Sequence, residues 1–399
     1  FIGKYHCDFE FLRLFFANEL PNNFSIEWKR NAFMKFCDLF NLDQTKFQTS
    51  DSATTTTTTS IMMMMEWSQE LKAKILQYII IPIFSNVFKN GQNEQFLGPP
   101  MEDDTAVVVA SNQDFNATKN LVSVFINVLV KETSVSDSIR ILVMQLGCLI
   151  VEHASNYIRP SQISENDRFP KSKRENSEVR QLMSYAWPGM HSTKRQDSVK
   201  KYYCHLLLAH IISKISIHKK IIKQVFLSLL KAHYQESRAI VFNALEILIP
   251  VLPQRITDGY RMLRQLTKKL MIEESHVSAQ FNHLLQIVVR YYRIYYPTRH
   301  IYVPHIVNAI QRYGLSQNSV IESRKLSLDL VEVIIRWEHE RLSVEQMDKS
   351  YKSTDVDSSD SESSFDSKQE PHHQHNKSTN QATSQQQQSR NTQDYPQLN

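Results

Sequence analysis

Glycine is scarce in this chain, with seven residues in 399. That is too few for glycine-rich phosphate loops or for a sheet built on tight hairpins. No G-x-G occurs, which removes the dinucleotide fingerprint, and no Walker-type phosphate loop is present either. Cysteine is equally sparse. Cys7, Cys37, Cys148 and Cys204 lie far apart with no C-x-x-C pair, which argues against a zinc ribbon or a dithiol redox motif. They read as reduced thiols of an intracellular protein. No signal peptide is visible, and no apolar run approaches the roughly 20 residues that a bilayer-crossing helix needs. The sequons at Asn23, Asn116 and Asn376 carry no weight without secretion. The sequence starts at Phe1 rather than methionine, so we expect a fragment or a partial gene product.

What is present suits a soluble folded protein: 41% hydrophobic and 22% charged residues, in a length fit for about two or three domains. The net charge of +5 is uneven. Residues 346–399 hold eight acidic and five basic residues, and the body, 1–345, holds 33 acidic and 41 basic ones. A mildly basic body permits an acidic partner without demanding one.

The body reads as successive helices. Ile222, Val225, Phe226 and Leu229 share one helix face, while Lys219, Lys220, Lys223 and Lys231 point broadly the other way. The same rhythm runs through Phe281, Leu284, Leu285, Val288, Tyr292 and Tyr295, and through Leu326, Leu330, Ile334 and Trp337. The pattern predicts helices near 5–18, 25–41, 68–89, 117–131, 137–157, 177–187 and 197–216, then 219–233, 236–249, 257–272, 276–296, 299–313 and 320–342. Ser319 and Glu322 have capping-box spacing at the last of these starts. Pro250 and Pro253 are expected to break one helix, Pro297 to end another, and Gly314 to stop a third. The only strand-like run, Val107 to Val109, is too short to matter.

Hairpins starting near 197, 236 and 276 recur about every forty residues, the period of HEAT-type units. The expected fold class is therefore an all-α, HEAT- or armadillo-like helical-repeat solenoid, in which each hairpin buries its apolar face on the next. A plain bundle is the alternative. Repeats are assigned to 1–47, 67–160 and 179–345. A Thr/Met-rich low-complexity insertion occupies 48–66, a polar loop 161–178, and a disordered Ser/Asp/Gln-rich tail 346–399.

Several stretches invite a chemical reading. YYCHLLLAHIISKISIHKK, 202–220, offers Cys204, His205, His210 and His218. At roughly 100° per residue, His205 and His210 are about 140° out of line, and Cys204 and His218 lie about 20 Å apart along one axis. Such spacing does not build a tetrahedral metal site. The stretch reads instead as a core helix burying Leu206, Leu207, Leu208, Ile211, Ile212 and Ile215, with its histidines at the edges or in local hydrogen bonds. RYYRIYYPTRHIY, 290–302, mixes aromatics and arginines as a base-stacking surface does, yet Tyr292 and Tyr295 continue a core stripe, which favours packing. The lysine face of 219–231 reads as solvated, KSKR at 171–174 as a basic loop, and HHQH at 372–375 as low-complexity tail. In the tail, acidic residues three positions after Thr354, Ser359 and Ser363 mark these as expected phosphorylation sites for an acidophilic kinase. No HExxH, GxSxG or paired-carboxylate motif occurs, and no catalytic, metal or cofactor residue is assigned.

Longer runs carry a resemblance. KYYCHLLLAHIISKISIHKKIIKQVFLSLLKAH (201–233), RAIVFNALEILIPVLPQR (238–255), YYPTRH (295–300) and RKLSLDLVEVIIRWEHER (324–341) resemble the transformation/transcription domain-associated protein family. SIEWK (25–29), LKAKILQYIIIPIF (71–84), VSVFINVLV (122–130) and RQLMSYAWPGM (180–190) resemble it in the same order, so the likeness covers most of 1–345. The insertion at 51–65 and the loop at 161–178 depart from it. The resemblance implies a stretch of a long HEAT-repeat solenoid that precedes FAT and kinase-like domains in very large pseudokinase scaffolds. It further implies a nuclear co-activator that links activators to histone acetyltransferase complexes of the SAGA and H4-acetylating types and contributes to DNA repair. Acetyltransferase-complex subunits and acidic activators are then the expected partners. Direct nucleic-acid binding, membrane contact, a small-molecule substrate, a cofactor and kinase activity are not expected. A general HEAT-type adaptor for transport or a phosphatase is the alternative. Binding to acidic partners should weaken as salt rises, and a slice of solenoid should expose apolar ends and aggregate.

Overall fold

Apolar residues at three- and four-residue steps can be buried together only on one side of a helix, and helices account for all regular structure among the described residues. The computed structural model describes residues 10–45, 68–98, 120–132, 134–158, 177–232, 234–273, 278–317 and 319–354. The Thr/Met insertion, the Val107 run, KSKR, Ser359, Ser363 and HHQH lie outside them. The chain forms a first unit, Phe1–His339, and a second, Glu340–Asn399.

We number the helices α1 (10–23), α2 (Ile26–Thr45), α3 (Gln69–Lys89), α4 (Asn93–Leu97), α5 (Leu121–Val130), α6 (Asp137–His153) and α7 (Glu178–Met190). Then follow α8 (Ser198–Lys214), α9 (Lys219–Leu230), α10 (Arg238–Arg255), α11 (Gly259–Glu273), α12 (Ser278–Arg290), α13 (Tyr292–Tyr295), α14 (Arg299–Gly314) and α15 (Ile321–Thr354). The hairpins opened by α8, α10 and α12 begin at Ser198, Arg238 and Ser278, a forty-residue step taken twice. Short 3-10 turns, Arg195–Asp197 and Gln235–Ser237, lead into the first two at the same step. Helices α6, α8 and α10 pack side by side in order, and α9 and α11 pair with α10. This is the all-α helical-repeat solenoid that the periodicity implies.

Its core is continuous. In α9, Ile222, Val225, Phe226 and Leu229 are fully buried. Near the other end, Phe84 of α3 meets Phe33 of α2 and Phe96 of α4 edge-to-face, at 5.0 and 4.9 Å between ring centroids. Each such pair adds about 0.5–1.5 kcal/mol beyond its buried area. Polar ties join neighbouring repeats: His283 Nε2 donates to the Leu229 carbonyl at 3.0 Å, and Arg255 donates to the Ser213 carbonyl at 2.8 Å.

Several expectations change. Helix α10 does not stop at Pro250 but runs through Pro250 and Pro253 to Arg255. Both prolines are exposed and three residues apart, so their rings lie together on the outer side of the helix, while Leu245, Leu248, Ile249 and Leu252 are held in the core. Pro188 in α7 and Pro304 in α14 are exposed in the same way. The helix expected over 276–296 divides at Tyr291 into α12 and α13. Helix α15 starts at Ile321, with the Arg324 N–H on the Val320 carbonyl, so the capping position falls at Val320 rather than Ser319. It continues to Thr354, beyond the expected tail boundary at 346.

Helix α3 is also long and apolar enough to cross a membrane by length and composition, contrary to the expectation of no such run. It buries Leu76, Ile80, Ile83, Phe84, Val87 and Phe88 inside the protein instead, so its apolarity is that of a core helix. Helices α1, α3 and α5 each contain a π turn, Phe15–Glu19, Leu76–Ile80 and Ile126–Val130.

Candidate interaction surface

The four possible metal ligands of 202–220 do not converge. His205 is fully buried, not at an edge, and its Nδ1 donates to the Lys201 carbonyl at 2.7 Å. Burial holds its pKa down at about 4. Cys204 Sγ faces Met144 Sδ at 3.3 Å, and burial pushes its thiol up to about 12, so it is an inert core thiol. His210 Nδ1 stands 3.9 Å from Glu152 Oε2, and burial lowers its pKa against that carboxylate's attraction. His218 caps α9, its Nδ1 accepting the Lys220 N–H at 3.2 Å. Leu207, Leu208, Ile211 and Ile212 are buried, with Leu206 and Ile215 packed partly against the core. Among the described residues, no three His, Cys, Asp or Glu side chains group as a metal site. Gly189 of α7 passes so close to α8 that a Cβ there would collide with Cys204 Sγ.

The aromatic stretch 290–302 is structural. Tyr295 and Tyr302 are buried edge-to-face at 5.1 Å. The Tyr295 hydroxyl bonds Thr267 Oγ1 at 2.9 Å, and the Tyr302 hydroxyl donates to the Arg264 carbonyl at 2.7 Å. Desolvation raises both phenol pKa values. Partly buried Tyr292 and Tyr296 seat this chain's own arginines, Arg336 at 5.0 Å and Arg299 at 4.3 Å from the ring centroids. Trp337 Nε1 donates to the Tyr292 carbonyl at 2.9 Å, tying α15 to the same cluster.

Three surfaces stand out for binding. At one end of the chain, Phe11, Leu14, Phe15, Phe24 and Trp28 of α1, α2 and their link are exposed. On α15, Ile321, Leu328 and Ile335 follow a seven-residue step and are 81%, 70% and 62% exposed, with Val331 beside them. They lie opposite the buried row Leu326, Leu330, Val333 and Trp337. The third is the lysine-rich outer side of α9 with α11. A furrow of about 340 Å³ between them is lined by Lys223, Gln224, Leu227, Met262, Gln265 and Leu266. Sequence reasoning found the lysines but missed the furrow, because Met262 and Leu266 belong to a different helix.

A stack of helical hairpins with exposed apolar side chains on α1, α2 and α15 defines the class: a segment of a helical-repeat solenoid. Residues 1–399 match the family described as the Tra1 HEAT repeat ring region, and the chain belongs to that family. It is 40% identical over 351 residues to the human Transformation/transcription domain-associated protein, covering 87% of this chain and 8% of that protein. It is equally 40% identical over 340 residues to Drosophila melanogaster Transcription-associated protein 1, covering 84% and 8%. Identity is 26% over 178 residues with the Saccharomyces cerevisiae SAGA complex/NuA4 acetyltransferase complex subunit TRA1, covering 44% of this chain and 5% of that subunit. The chain thus spans about 8% of the length of the human and Drosophila relatives.

Proposed function

We propose that this chain is a stretch of the non-catalytic scaffold of a nuclear transcription co-activator of the pseudokinase type. In this reading the solenoid links activators to histone acetyltransferase complexes of the SAGA and H4-acetylating types, with roles in chromatin regulation and DNA repair. The observation that carries it is the 40% identity over 351 residues to a transcription-associated relative. The name of the yeast relative, a SAGA and NuA4 subunit, supports the link to acetyltransferases. The structure supports a binding role physically: stacked hairpins present long surfaces, and His205 and the thiols of Cys37, Cys148 and Cys204 are buried in the core.

Affinity purification of the full-length protein from nuclear extract, followed by mass spectrometry and a histone acetylation assay, tests this. Acetyltransferase subunits with activity in the eluate are expected. Transport factors or phosphatase subunits without acetylation would move the assignment to a general HEAT-type adaptor.

A further inference from the structure

Helix α15 is fixed on one side and exposed on the other. On the fixed side Leu326, Leu330, Val333 and Trp337 are buried, and the Trp337 indole N–H holds the Tyr292 carbonyl at 2.9 Å. Ser327 comes so near Gly314 of α14 that a Cβ there would stand 3.0 Å from its hydroxyl. These ties make the outer side a preformed surface. Ile321, Leu328 and Ile335 repeat along it every seven residues, with Val331 beside them, all four exposed and all within the first unit. Singly exposed apolar side chains are ordinary, but a row at a seven-residue step is the spacing of a seam between two helices.

The sequence that follows α15 does not supply the second helix. Among residues 355–399 only Val356, Phe365, Ala382, Tyr395 and Leu398 are apolar, too sparse to lay a stripe along a helix. What fits the row is the row itself. One edge of it carries Lys325, four residues after Ile321, and Glu332, four residues after Leu328, both exposed. Let two such helices meet antiparallel with a two-fold axis through Leu328. Ile321 of each copy then faces Ile335 of the other, and Leu328 faces its own counterpart. Lys325 lies three residues to one side of the axis and Glu332 four to the other. Each lysine therefore comes level with the other copy's glutamate to within one residue's rise, ~1.5 Å, and the opposite charges meet twice. Glu332 also bonds Arg336 of its own helix, and a carboxylate has acceptor sites for both.

We propose that the outer row of α15 pairs with the same row of a second copy of this chain, antiparallel and two-fold symmetric. The apolar row supplies the attraction, and the Lys325–Glu332 edge selects the direction. Four apolar side chains per copy fall short of the roughly 800 Å² per partner of a standard interface, so the pairing is reversible and concentration-dependent. It does not depend on the scaffold reading above.

The test is disulfide trapping of the full-length protein under mild oxidation, read as covalent dimer on a non-reducing gel against the parent. A residue on a two-fold axis meets itself, so Leu328→Cys alone should give covalent dimer. Ile321→Cys alone should stay at the parent level, while Ile321→Cys/Ile335→Cys should give dimer. Leu315→Cys, 78% exposed and off the row, measures random collision and should also stay at the parent level. Dimer from Leu315→Cys as abundant as from Leu328→Cys would overturn the proposal, and dimer from Ile321→Cys alone would overturn the antiparallel arrangement. Absence of dimer from Leu328→Cys would overturn it in favour of a row covered by another segment or another protein. Sedimentation velocity over a concentration series gives a second readout without cysteines. Lys325→Glu should weaken self-association about fivefold, and Lys325→Glu/Glu332→Lys should restore it. A double variant as weak as the single one would overturn the charge match.

Discussion

Helices α8 and α15 look alike in sequence and stand in opposite surroundings. Each carries apolar residues on more than one side, so neither has a single apolar stripe. Helix α8 is covered by α6, α7 and α10, and Tyr202, Cys204, His205, Leu207, Leu208 and Ile211 are all buried. Helix α15 buries Leu326, Leu330, Val333 and Trp337 and leaves Ile321, Leu328, Val331 and Ile335 in water. A helix apolar all round asks for neighbours all round. Among the described residues, the first has them and the second has them on one side. Within a repeat array the two-sided pattern therefore marks an inner position, even where the described residues supply a neighbour on one side only.

The sharpest way to break this comparison is truncation of matched leucines. Leu208→Ala should lower the unfolding free energy by about 2–5 kcal/mol, read by urea denaturation, because a fully buried side chain leaves a cavity. A cost at Leu328 as large as that at Leu208 would mean that the bare face of α15 is covered in solution.

Acid should separate the two helices next. His205 has a folded-state pKa of about 4, below its unfolded value near 6.5, so the unfolded chain binds the extra proton first. Its contribution is intact above pH 6.5 and is lost as pH falls toward 4, by up to about 1.4 kcal/mol per pH unit. Denaturation midpoints across that window should show a shallower slope in His205→Leu than in the parent. An unchanged slope would remove His205 as the source.

Trp337→Phe probes the covered side of α15. It deletes the indole N–H bond to the Tyr292 carbonyl and should cost about 1 kcal/mol, with thermal melting as the readout. On the bare side, Leu328→Ala should stay within about 0.5 kcal/mol of the parent. Leu328→Asp should nevertheless reduce self-association in sedimentation velocity, because an exposed apolar row invites association. Association undiminished by the aspartate would place the sticky surface elsewhere.

Much of the fold was legible because helical periodicity is a local signal. Ile222, Val225, Phe226 and Leu229 could be assigned to the core from spacing alone, and the forty-residue step emerged from helix starts. What escaped was set by tertiary surroundings. Pro250 and Pro253 read as helix breakers, and only their shared exposed side lets α10 continue. For His205 the sequence allowed an edge position or a local hydrogen bond; the bond to the Lys201 carbonyl is there, but the burial depends on the enclosure of α8, which the sequence does not show. The furrow over Leu227, Met262 and Leu266 needed two helices brought side by side. The apolar row of α15 was in plain view at Ile321, Leu328 and Ile335, but the opposite row at Leu326, Leu330, Ile334 and Trp337 drew the reading.

The π turns of α1, α3 and α5 have a meaning for ancestry. Each places one residue more than an α-helix needs within an otherwise continuous rod. A single inserted codon is thereby absorbed as a local swelling, without rotating the apolar rows on either side out of the core. Length differences of one residue among relatives should then gather at 15–19, 76–80 and 126–130. The later helices α8, α9 and α10, which lack such swellings, should keep their lengths.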